Sequence, residues 1–251
     1  MAPTSVPPLI AHRGWARQYP ENTLAAVRGA LLAGAGWVEI DVQLSADGVP
    51  FLFHDRDLAR VCGAAGPLGA RSAAELSELR ASEAGRFGRR YADEPLARLN
   101  AFVGLLAEFP RAEAFVELKR ASIERFGPER VLDAVLPVLA PLGARARLIS
   151  FHVPVLAMAR RRCALELGPV IERWSDLDDP DVRALGAEVV FCDEAELPPA
   201  GPLDARGARL AVYEVDHPLR ARELLARGAS WVETFAIGEL LAALGGREGA
   251  P

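Results

Sequence analysis

Short apolar segments with strand character alternate with helical patterns along almost the whole sequence. The eight strand-like segments are Leu9–Arg13, Trp37–Leu44, Ala114–Lys119, Arg147–His152, Leu165–Ile171, Glu188–Cys192, Arg209–Val215 and Trp231–Thr234. Helical patterns lie between most of them, at Asn22–Ala33, Leu96–Glu108, Glu129–Leu139 and Leu219–Ala226. Near-continuous apolar strands joined by helices are typical of an α/β fold with a parallel sheet covered on both faces. At 251 residues the natural solution is one closed TIM (β/α)8 barrel, and an open doubly wound sheet is the alternative.

One segment interrupts this alternation. Asp47-Gly48 predicts a hairpin turn, which the run Val49–His54 follows. From Asp55 to about Glu94 the chain is rich in Gly, Ala, Arg and Ser. We interpret residues 56–94 as a small inserted lid between the second strand and its helix, within a single domain that spans residues 1–251. Long insertions in the βα loops of barrels commonly carry substrate contacts.

Charge and hydropathy exclude several classes of protein. The net charge is −5, so no basic surface indicates a nucleic-acid partner. No apolar run approaches the roughly 18 residues that a membrane span needs, and only eight residues precede the first strand-like segment. We therefore expect a cytoplasmic protein without stable membrane association. The three cysteines form no Cys-x-x-Cys pair, which argues against a disulfide scaffold or a zinc site.

Two acidic residues in the second strand point to a metal site. Glu39 and Asp41 lie two positions apart, so their side chains share one face of the strand, while Val38, Ile40 and Val42 share the other. Carboxylates that face a barrel interior are costly unless they are paired. A divalent cation would satisfy both, and oxygen-only ligation favours Mg²⁺ or Ca²⁺. The alternative is a carboxylate pair neutralised by arginines.

The third strand repeats this spacing with an acid and a base. Glu117 and Lys119 share one face, and Lys119 is the only lysine in the chain. A third carboxylate would complete the metal site. An ammonium group close to a metal ion needs a bound anion between the two positive centres, most simply a phosphate. A plain Glu–Lys ion pair is the alternative.

Two of the four histidines lie where strand-like segments end, near this acidic cluster. His12 ends the first strand, and His54 ends the run after the hairpin. Two imidazoles on either side of a bound phosphate can divide acid and base duties near neutral pH. His152 and His217 have no evident partner in sequence, and we interpret them as structural or peripheral.

Further polar residues follow His12 closely. Arg13 can form a fork of hydrogen bonds to phosphate, and Gly14 allows the backbone to approach a ligand. Asn22 or Thr23 can cap the next helix. Capping does not explain Glu21, which has the reach to contact a metal, a histidine or a substrate hydroxyl.

These motifs, in this order, resemble the glycerophosphodiester phosphodiesterase family. The motifs are His12-Arg13-Gly14, Pro20-Glu21-Asn22-Thr23, Glu39-x-Asp41, His54-Asp55 and Glu117-x-Lys119. The resemblance implies a TIM barrel with a small insertion after the second strand. It implies one divalent cation held by Glu39, Asp41 and Glu117. It implies that His12 and His54 act as general acid and base. It further implies a phosphate site formed by Arg13 and Lys119, with Glu21 and Asn22 as supporting groups.

The chain departs from the family pattern on its last two strands. Family members often carry a Trp-Thr-Val-Asn-like stretch on strand seven, where this chain has Tyr213-Glu214-Val215-Asp216. The last strand often ends in Thr-Asp, where this chain has Glu233-Thr234-Phe235. Tyr213 can still supply an aromatic wall. Glu214 would favour a cationic or polyhydroxy head group, and the alternative is that it faces a helix. These departures concern the glycerol pocket, not the metal ligands or the histidines.

The resemblance implies hydrolysis of glycerophosphodiesters to glycerol 3-phosphate and an alcohol. In the family the nucleophile is thought to be the neighbouring glycerol hydroxyl of the substrate, which gives a cyclic phosphate that water opens. The expected partner is a small-molecule phosphodiester. Two alternatives remain: a lysophospholipase D-like phosphodiesterase, and a catalytically inactive barrel that binds a phosphate ester.

Overall fold

Nine strands form one sheet in the computed structural model, which describes residues 7–245. They are β1 (Leu9–Ala11), β2 (Trp37–Leu44), β3 (Pro50–Leu52), β4 (Glu113–Leu118), β5 (Ala146–Ser150), β6 (Glu166–Ile171), β7 (Val189–Asp193), β8 (Arg209–Tyr213) and β9 (Trp231–Thr234). All but β3 pair in parallel, in the order β1-β9-β8-β7-β6-β5-β4-β2, and a further β1–β2 pairing closes the ring. The predicted closed barrel is therefore confirmed. The strand β3 pairs antiparallel with β2 outside the ring, after the predicted hairpin turn.

Eleven helices connect and cover the strands of the described part of the chain. They are α1 (Leu24–Leu32), α2 (Ala59–Cys62), α3 (Ala73–Ser77), α4 (Ala84–Phe87), α5 (Leu99–Ala107), α6 (Arg120–Phe126), α7 (Pro128–Leu139), α8 (Val153–Arg160), α9 (Pro180–Leu185), α10 (Pro218–Arg227) and α11 (Ile237–Gly245). Within residues 7–245 no helix has both the length and the apolar character that crossing a membrane requires.

The apolar core has two layers separated by the barrel wall. Outward-facing strand residues such as Val38, Ile40 and Val42 pack under the surrounding helices. Inward-facing residues, among them Phe115 and Phe191, fill the barrel axis. This alternation follows from the two-residue period of a strand.

The amino-terminal end of the barrel is closed by an ion-paired arginine. Arg147 is buried and pairs with Glu113 and Glu166, which begin two neighbouring strands. Its guanidinium also lies over the rings of Phe115 and Trp231, 5.3 and 5.8 Å from their centroids. The cavity at the other end therefore has a sealed floor.

The segment between β3 and α5 folds around a small apolar cluster of its own. That cluster consists of Phe51, Phe53, Leu58, Val61, Leu68, Ala73, Leu76, Ala81 and Leu96. Three short helices, α2, α3 and α4, lie in this segment. The cluster includes residues of β3, so the segment is anchored to the barrel rather than attached only at its ends.

Candidate active site

A cavity of about 140 Å³ opens at the carboxyl ends of the barrel strands. One side of it is charged and is lined by His12, Arg13, Glu39, His54, Glu117 and Lys119. The opposite side is largely apolar and is lined by Ile149, Phe151, Val170, Phe191 and Tyr213, with Glu214 and Glu233 completing the ring. The cavity thus brings together most of the residues that the sequence singled out.

Three carboxylates converge on the charged side. One oxygen each of Glu39, Asp41 and Glu117 lies within 4.8 Å of the other two, and all three residues are buried. The register explains this convergence, because Asp41 in β2 lies directly beside Glu117 in β4. Glu39 precedes Asp41 on the same face of β2.

Asp41 is surrounded by donors. The Nζ of Lys119 lies 3.1 Å from Asp41 Oδ1, and Arg13 Nε lies 3.2 Å from Oδ2. Asn22 donates from Nδ2 to Asp41 Oδ2 at 2.8 Å, and its Oδ1 accepts the Asp41 backbone N–H at 3.0 Å. Burial acts to raise the pKa of Asp41, but Lys119 and Arg13 hold it well below its ordinary value. Asp41 is therefore a permanent carboxylate.

The other two acids have too little positive charge around them. Burial, together with Asp41 and Glu233, raises the pKa of Glu39 well above its ordinary value. Burial also raises the pKa of Glu117 to about 7, although Lys119, 2.9 Å away, opposes it. Glu39 Oε1 is buried without a hydrogen-bond partner among residues 7–245. Three convergent carboxylates that are buried with too little positive charge around them fit a hard divalent cation.

Each of the two candidate histidines is held by a neighbour. His54 Nδ1 lies 2.8 Å from Asp55 Oδ1, which leaves Nε2 free. The His12 ring stacks on Phe235 at 4.5 Å, and its Nε2 lies 3.8 Å from Glu39 Oε2. Burial lowers the pKa of both histidines, and Arg13 lowers them further, so both favour the neutral imidazole.

A tight turn after β1 brings Arg13 into the site. Arg13 and Gly14 have φ angles of 56° and 80°, and β1 ends at Ala11 instead of at the predicted Arg13 because of this turn. A Cβ on Gly14 would lie 2.6 Å from the carbonyl carbon of Ala26, so only glycine fits. The turn directs the Arg13 backbone N–H to Glu39 Oε2 at 3.1 Å. Arg13 thus contacts the carboxylates through both its backbone N–H and its guanidinium.

Glu21 links the cavity wall to the inserted segment. It accepts from Arg13 Nη1 at 3.0 Å, and from Arg60 at 2.7 and 2.8 Å. Its backbone N–H donates to the buried Glu83. Burial acts to raise the pKa of Glu21, but the hydrogen bonds from Arg60 and the charge of Arg13 lower it. Glu21 therefore holds the guanidinium of Arg13 and is not one of the three convergent carboxylates.

The helix α1 is capped by Thr23 and not by Asn22.

Several groups around the cavity were not identified from the sequence. Gln43 Nε2 lies 2.7 to 3.0 Å from the carbonyl oxygens of Phe53, His54 and Asp55, and so fixes the segment that carries His54. Its position two residues after Asp41, on the same face of β2, was an available signal. Glu233 is buried in the cavity wall. Its signal was the repeat of Trp37-Val38-Glu39 as Trp231-Val232-Glu233.

The remaining candidates lie at the rim or outside the cavity. Tyr213 lines the apolar side, and Glu214 Oε1 lies 3.5 Å from His12 Nδ1. His152 caps α8, because its Nδ1 accepts the Val155 N–H. His217 precedes α10 and makes no side-chain capping bond. Neither histidine lines the cavity.

Sequence comparison relates this chain to a known protein family. Residues 12–238 match the profile of the Glycerophosphoryl diester phosphodiesterase family. A probable glycerophosphodiester phosphodiesterase 1 from Mycobacterium tuberculosis is 35% identical over 175 residues, covering 66% of this chain and 63% of that protein. An uncharacterised protein from the same species is 33% identical over 172 residues, covering 65% of this chain and 55% of that protein. The chain therefore spans less than two thirds of the length of these relatives.

Solved structures of other proteins match the fold of almost the whole chain. An Oleispira antarctica phosphodiesterase, determined in complex with the product sn-glycerol-3-phosphate, has a TM-score of 0.84 and 25% identity and covers 96% of this chain and 98% of its own. A glycerophosphodiester phosphodiesterase from Agrobacterium tumefaciens has a TM-score of 0.74 and 26% identity, with coverages of 94% and 99%.

Proposed function

Because the chain belongs to the glycerophosphoryl diester phosphodiesterase family, we propose that it hydrolyses glycerophosphodiesters to glycerol 3-phosphate and an alcohol, with one divalent cation. The observation that carries this proposal is the convergence of Glu39, Asp41 and Glu117 beside Lys119 in a cavity that also holds His12 and His54. The sn-glycerol-3-phosphate bound by the Oleispira antarctica relative supports the choice of substrate class.

We assign the cation to the three convergent carboxylates. Their donor set consists only of oxygen atoms, which favours Mg²⁺ or Ca²⁺. When bound, such a cation supplies positive charge to the phosphoryl oxygens. The natural ligand atoms are Glu39 Oε1, which lacks a hydrogen-bond partner among residues 7–245, and Asp41 Oδ1, which the Lys119 ammonium approaches at 3.1 Å.

Lys119 and Arg13 are the protein groups that bind the phosphate in this proposal. Lys119 is only 13% exposed on its side chain and faces the cavity from the end of β4, and Arg13 faces it from the turn after β1. Their charges would neutralise the diester and the charge that develops on it as the bond to the leaving alcohol breaks. The wall on the opposite side, which includes Phe151 and Phe191, is largely apolar.

The two histidines carry the protons. Asp55 holds His54 Nδ1 by a 2.8 Å hydrogen bond, so that Nε2 can accept the proton of the attacking hydroxyl. As that hydroxyl, which belongs to the glycerol of the substrate, bonds to phosphorus, the bond to the alcohol would break and His12 would protonate the alcohol oxygen. Water would then open the cyclic phosphate to glycerol 3-phosphate, giving a proton to His12 while His54 returns its proton to the released glycerol oxygen. A phosphate bound between the two rings would raise their pKa values, which would oppose the effect of burial and supply the protonated form that the acid needs.

The inserted segment belongs to the same proposal. We propose that residues 56–94 are an insertion within one barrel domain and that they hold the cavity mouth through the contacts of Arg60 and Glu83 with Glu21.

The proposal is tested by turnover of glycerophosphocholine with Mg²⁺ or Ca²⁺. We expect activity that a chelator abolishes and that either cation restores. His12→Ala and His54→Ala should each lower kcat by about 10²- to 10⁴-fold, the usual contribution of a general acid or base. His217→Ala is the matched control, since it removes an imidazole outside the cavity and should leave turnover unchanged.

Three results would contradict the proposal. Near-normal turnover by either histidine variant would remove the acid–base assignment. Binding of glycerol 3-phosphate without turnover in any divalent cation would indicate a phosphate-ester-binding barrel. Faster turnover of lysophosphatidylcholine than of glycerophosphocholine would indicate a lysophospholipase D-like enzyme.

A further inference from the structure

Two acids line the β8–β9 side of the cavity without a basic partner. Glu214 follows β8 with its side chain 44% exposed, and Glu233 lies in β9 and is 2% exposed. Among residues 7–245 neither carboxylate forms an ion pair with an arginine or a lysine, and Glu233 Oε1 has no hydrogen-bond partner. A buried acceptor without a donor is costly. Because both residues line the cavity, a bound ligand can supply the donor.

The charges around Glu214 make this side of the cavity acidic. Burial raises the pKa of Glu214, and the carboxylates of Asp193 and Asp216 raise it further against the opposing charge of Arg13. The guanidinium of Arg13 is itself engaged, because its Nε lies 3.2 Å from Asp41 Oδ2. A positively charged group of a ligand would therefore be stabilised here.

The proposed chemistry places the leaving alcohol beside the two acids. His12 protonates the alcohol oxygen in that proposal, so the alcohol lies on the His12 side of the phosphate. Glu214 Oε1 is 3.5 Å from His12 Nδ1, and one carboxylate oxygen of Glu233 lies within 4.8 Å of a nitrogen of the same ring. The strand order explains this, because β9 pairs with β1, which ends directly before His12. A substituent two carbons from the alcohol oxygen can therefore reach both carboxylates.

We propose that Glu214 and Glu233 bind the head group of the substrate and select diesters whose alcohol carries an ammonium group. This inference rests on the proposed function, to which it adds the class of alcohol. The charges of the cavity then match a zwitterion, since Lys119 and Arg13 bind the phosphate and the two acids bind the cation. Complementary charges of this kind contribute to specificity more than to affinity.

An ammonium group suits this site better than a neutral polyhydroxy group. A hydroxyl can donate to a carboxylate but leaves its charge uncompensated, whereas an ammonium group does both. The quaternary nitrogen of choline carries the charge without N–H donors, so it leaves Glu233 Oε1 without a hydrogen bond. The alcohol that supplies both charge and donors is ethanolamine, which is therefore the probe.

The test compares two diesters of glycerol 3-phosphate that differ in one group. One carries ethanolamine and the other carries ethylene glycol, in which a hydroxyl replaces the ammonium group at the same chain length. With Mg²⁺ near neutral pH, we expect kcat/KM of the wild-type chain to be about 10- to 100-fold higher for the ethanolamine diester, the usual contribution of a hydrogen bond to a charged group. The ratio of the two kcat/KM values is the quantity measured.

Glu214→Gln should remove most of this preference. Glutamine keeps the shape of the side chain and removes its charge. Any effect of the substitution that acts through His12 changes both diesters alike and cancels in the ratio. Glu172→Gln is the matched control, because Glu172 follows β6 at the same end of the barrel but pairs with Arg120 at 2.6 Å and does not line the cavity. It should keep the wild-type ratio.

Three results would overturn the head-group assignment. They are equal kcat/KM values for the two diesters in the wild-type chain, a preference for the ethylene glycol diester, and a wild-type ratio retained in Glu214→Gln. Glu214 is exposed at the cavity mouth, so we expect the variant to fold, and a thermal melt checks this. Glu214→Ala, which also removes the charge, replaces it if the glutamine variant does not fold.

The same assays separate this inference from the proposed function. Turnover of both diesters at equal rates refutes the head-group assignment and leaves the function intact. Turnover of neither diester refutes the function, and calorimetric binding of the intact diesters then decides the assignment. Tighter binding of the ethanolamine diester that is lost in Glu214→Gln supports it, and equal Kd values refute it.

Discussion

Asn22 holds Asp41 with two hydrogen bonds at once. Its amide donates to the carboxylate and accepts from the Asp41 backbone N–H, and both residues are buried. Asn22 has a φ of 56°, a left-handed conformation that asparagine tolerates better than most residues. The strained backbone of Asn22 is thus stabilised by the contacts that orient the carboxylate.

Replacing Asn22 with alanine should weaken both the fold and the cation site. The change leaves a buried N–H of Asp41 without a partner, which costs about 1–3 kcal/mol of unfolding free energy. It also frees the carboxylate, and loss of such an orienting group typically weakens metal affinity about 10- to 100-fold. Denaturant unfolding and Mg²⁺ titration measure the two effects.

The exposed Asn100 of α5 provides the control. Asn100→Ala should change unfolding free energy and Mg²⁺ affinity little. Equal effects of the two substitutions would show that Asn22 does not orient Asp41.

Among the elements, the segment between β3 and α5 contacts residues beside the cavity through Arg60. Arg60 of α2 contacts Glu21, Asp55 and Glu83 at 2.7 to 3.0 Å. Burial acts to raise the pKa of Asp55, but Arg60 and His54 lower it to about 2. Arg60 therefore links the inserted segment to the aspartate that holds His54.

Arg60→Ala should loosen this segment without unfolding the barrel. The guanidinium is nearly half exposed, so we expect a loss of about 1 kcal/mol or less in global stability. The local effect should be larger, with faster amide hydrogen exchange in residues 56–94 and a lower kcat. Arg56→Ala removes an exposed arginine of the same segment, whose 3.6 Å contact with Glu124 lies outside the cavity, and should change neither quantity. Unaltered exchange in Arg60→Ala would refute the link.

The elements of the barrel and the position of the insertion were predictable from the sequence, and the helices inside the inserted segment were not. The eight barrel strands were found because a buried parallel strand is a continuous apolar run, whereas their ends were displaced by local turns such as the one at Arg13. Inside the insertion, α2 to α4 are four or five residues long. Helices of that length depend on tertiary contacts, here with Phe51 and its cluster, which no local pattern reveals.

The same distinction holds for the site. Glu39 with Asp41, and Glu117 with Lys119, were predictable because a spacing of two residues fixes a shared strand face. Glu83 was not, because it reaches Glu21 only through the fold of the insertion, across 62 positions of sequence. Glu233 required knowing that β9 and β2 flank the same strand, which is a property of barrel closure.

For the molecule as a whole, the buried acids make stability depend on pH and on cations. Burial raises the pKa values of Glu39 and Glu233 well above the ordinary range and that of Glu117 to about 7. These three acids therefore bind more protons in the folded chain than in the unfolded chain between pH 4.5 and about 7. Stability from this source is fully present below about pH 4.5 and is lost as pH rises through the folded pKa.

The metal-free protein should accordingly melt at a lower temperature at pH 8 than at pH 5.5. At about 1.4 kcal/mol per pKa unit, Glu117 alone accounts for a loss of about 2 kcal/mol between these two pH values. Mg²⁺ should reverse the trend, because cations bind the deprotonated carboxylates. Thermal melts at both pH values, with chelator and with Mg²⁺, measure this.

Glu117→Gln is the control for the pH effect. In chelator its melting temperature should depend less steeply on pH than that of the wild type. The same slope in both proteins would mean that another group titrates.

The ammonium group between Asp41 and Glu117 belongs to the only lysine in the sequence. Reductive methylation with ¹³C-formaldehyde would therefore give one side-chain resonance, apart from that of any free amino terminus. The label would report from the cavity itself, free of the overlap that arises when many lysines are methylated. Its chemical shift would follow the binding of Mg²⁺ or of glycerol 3-phosphate in the cavity, without any change to the sequence.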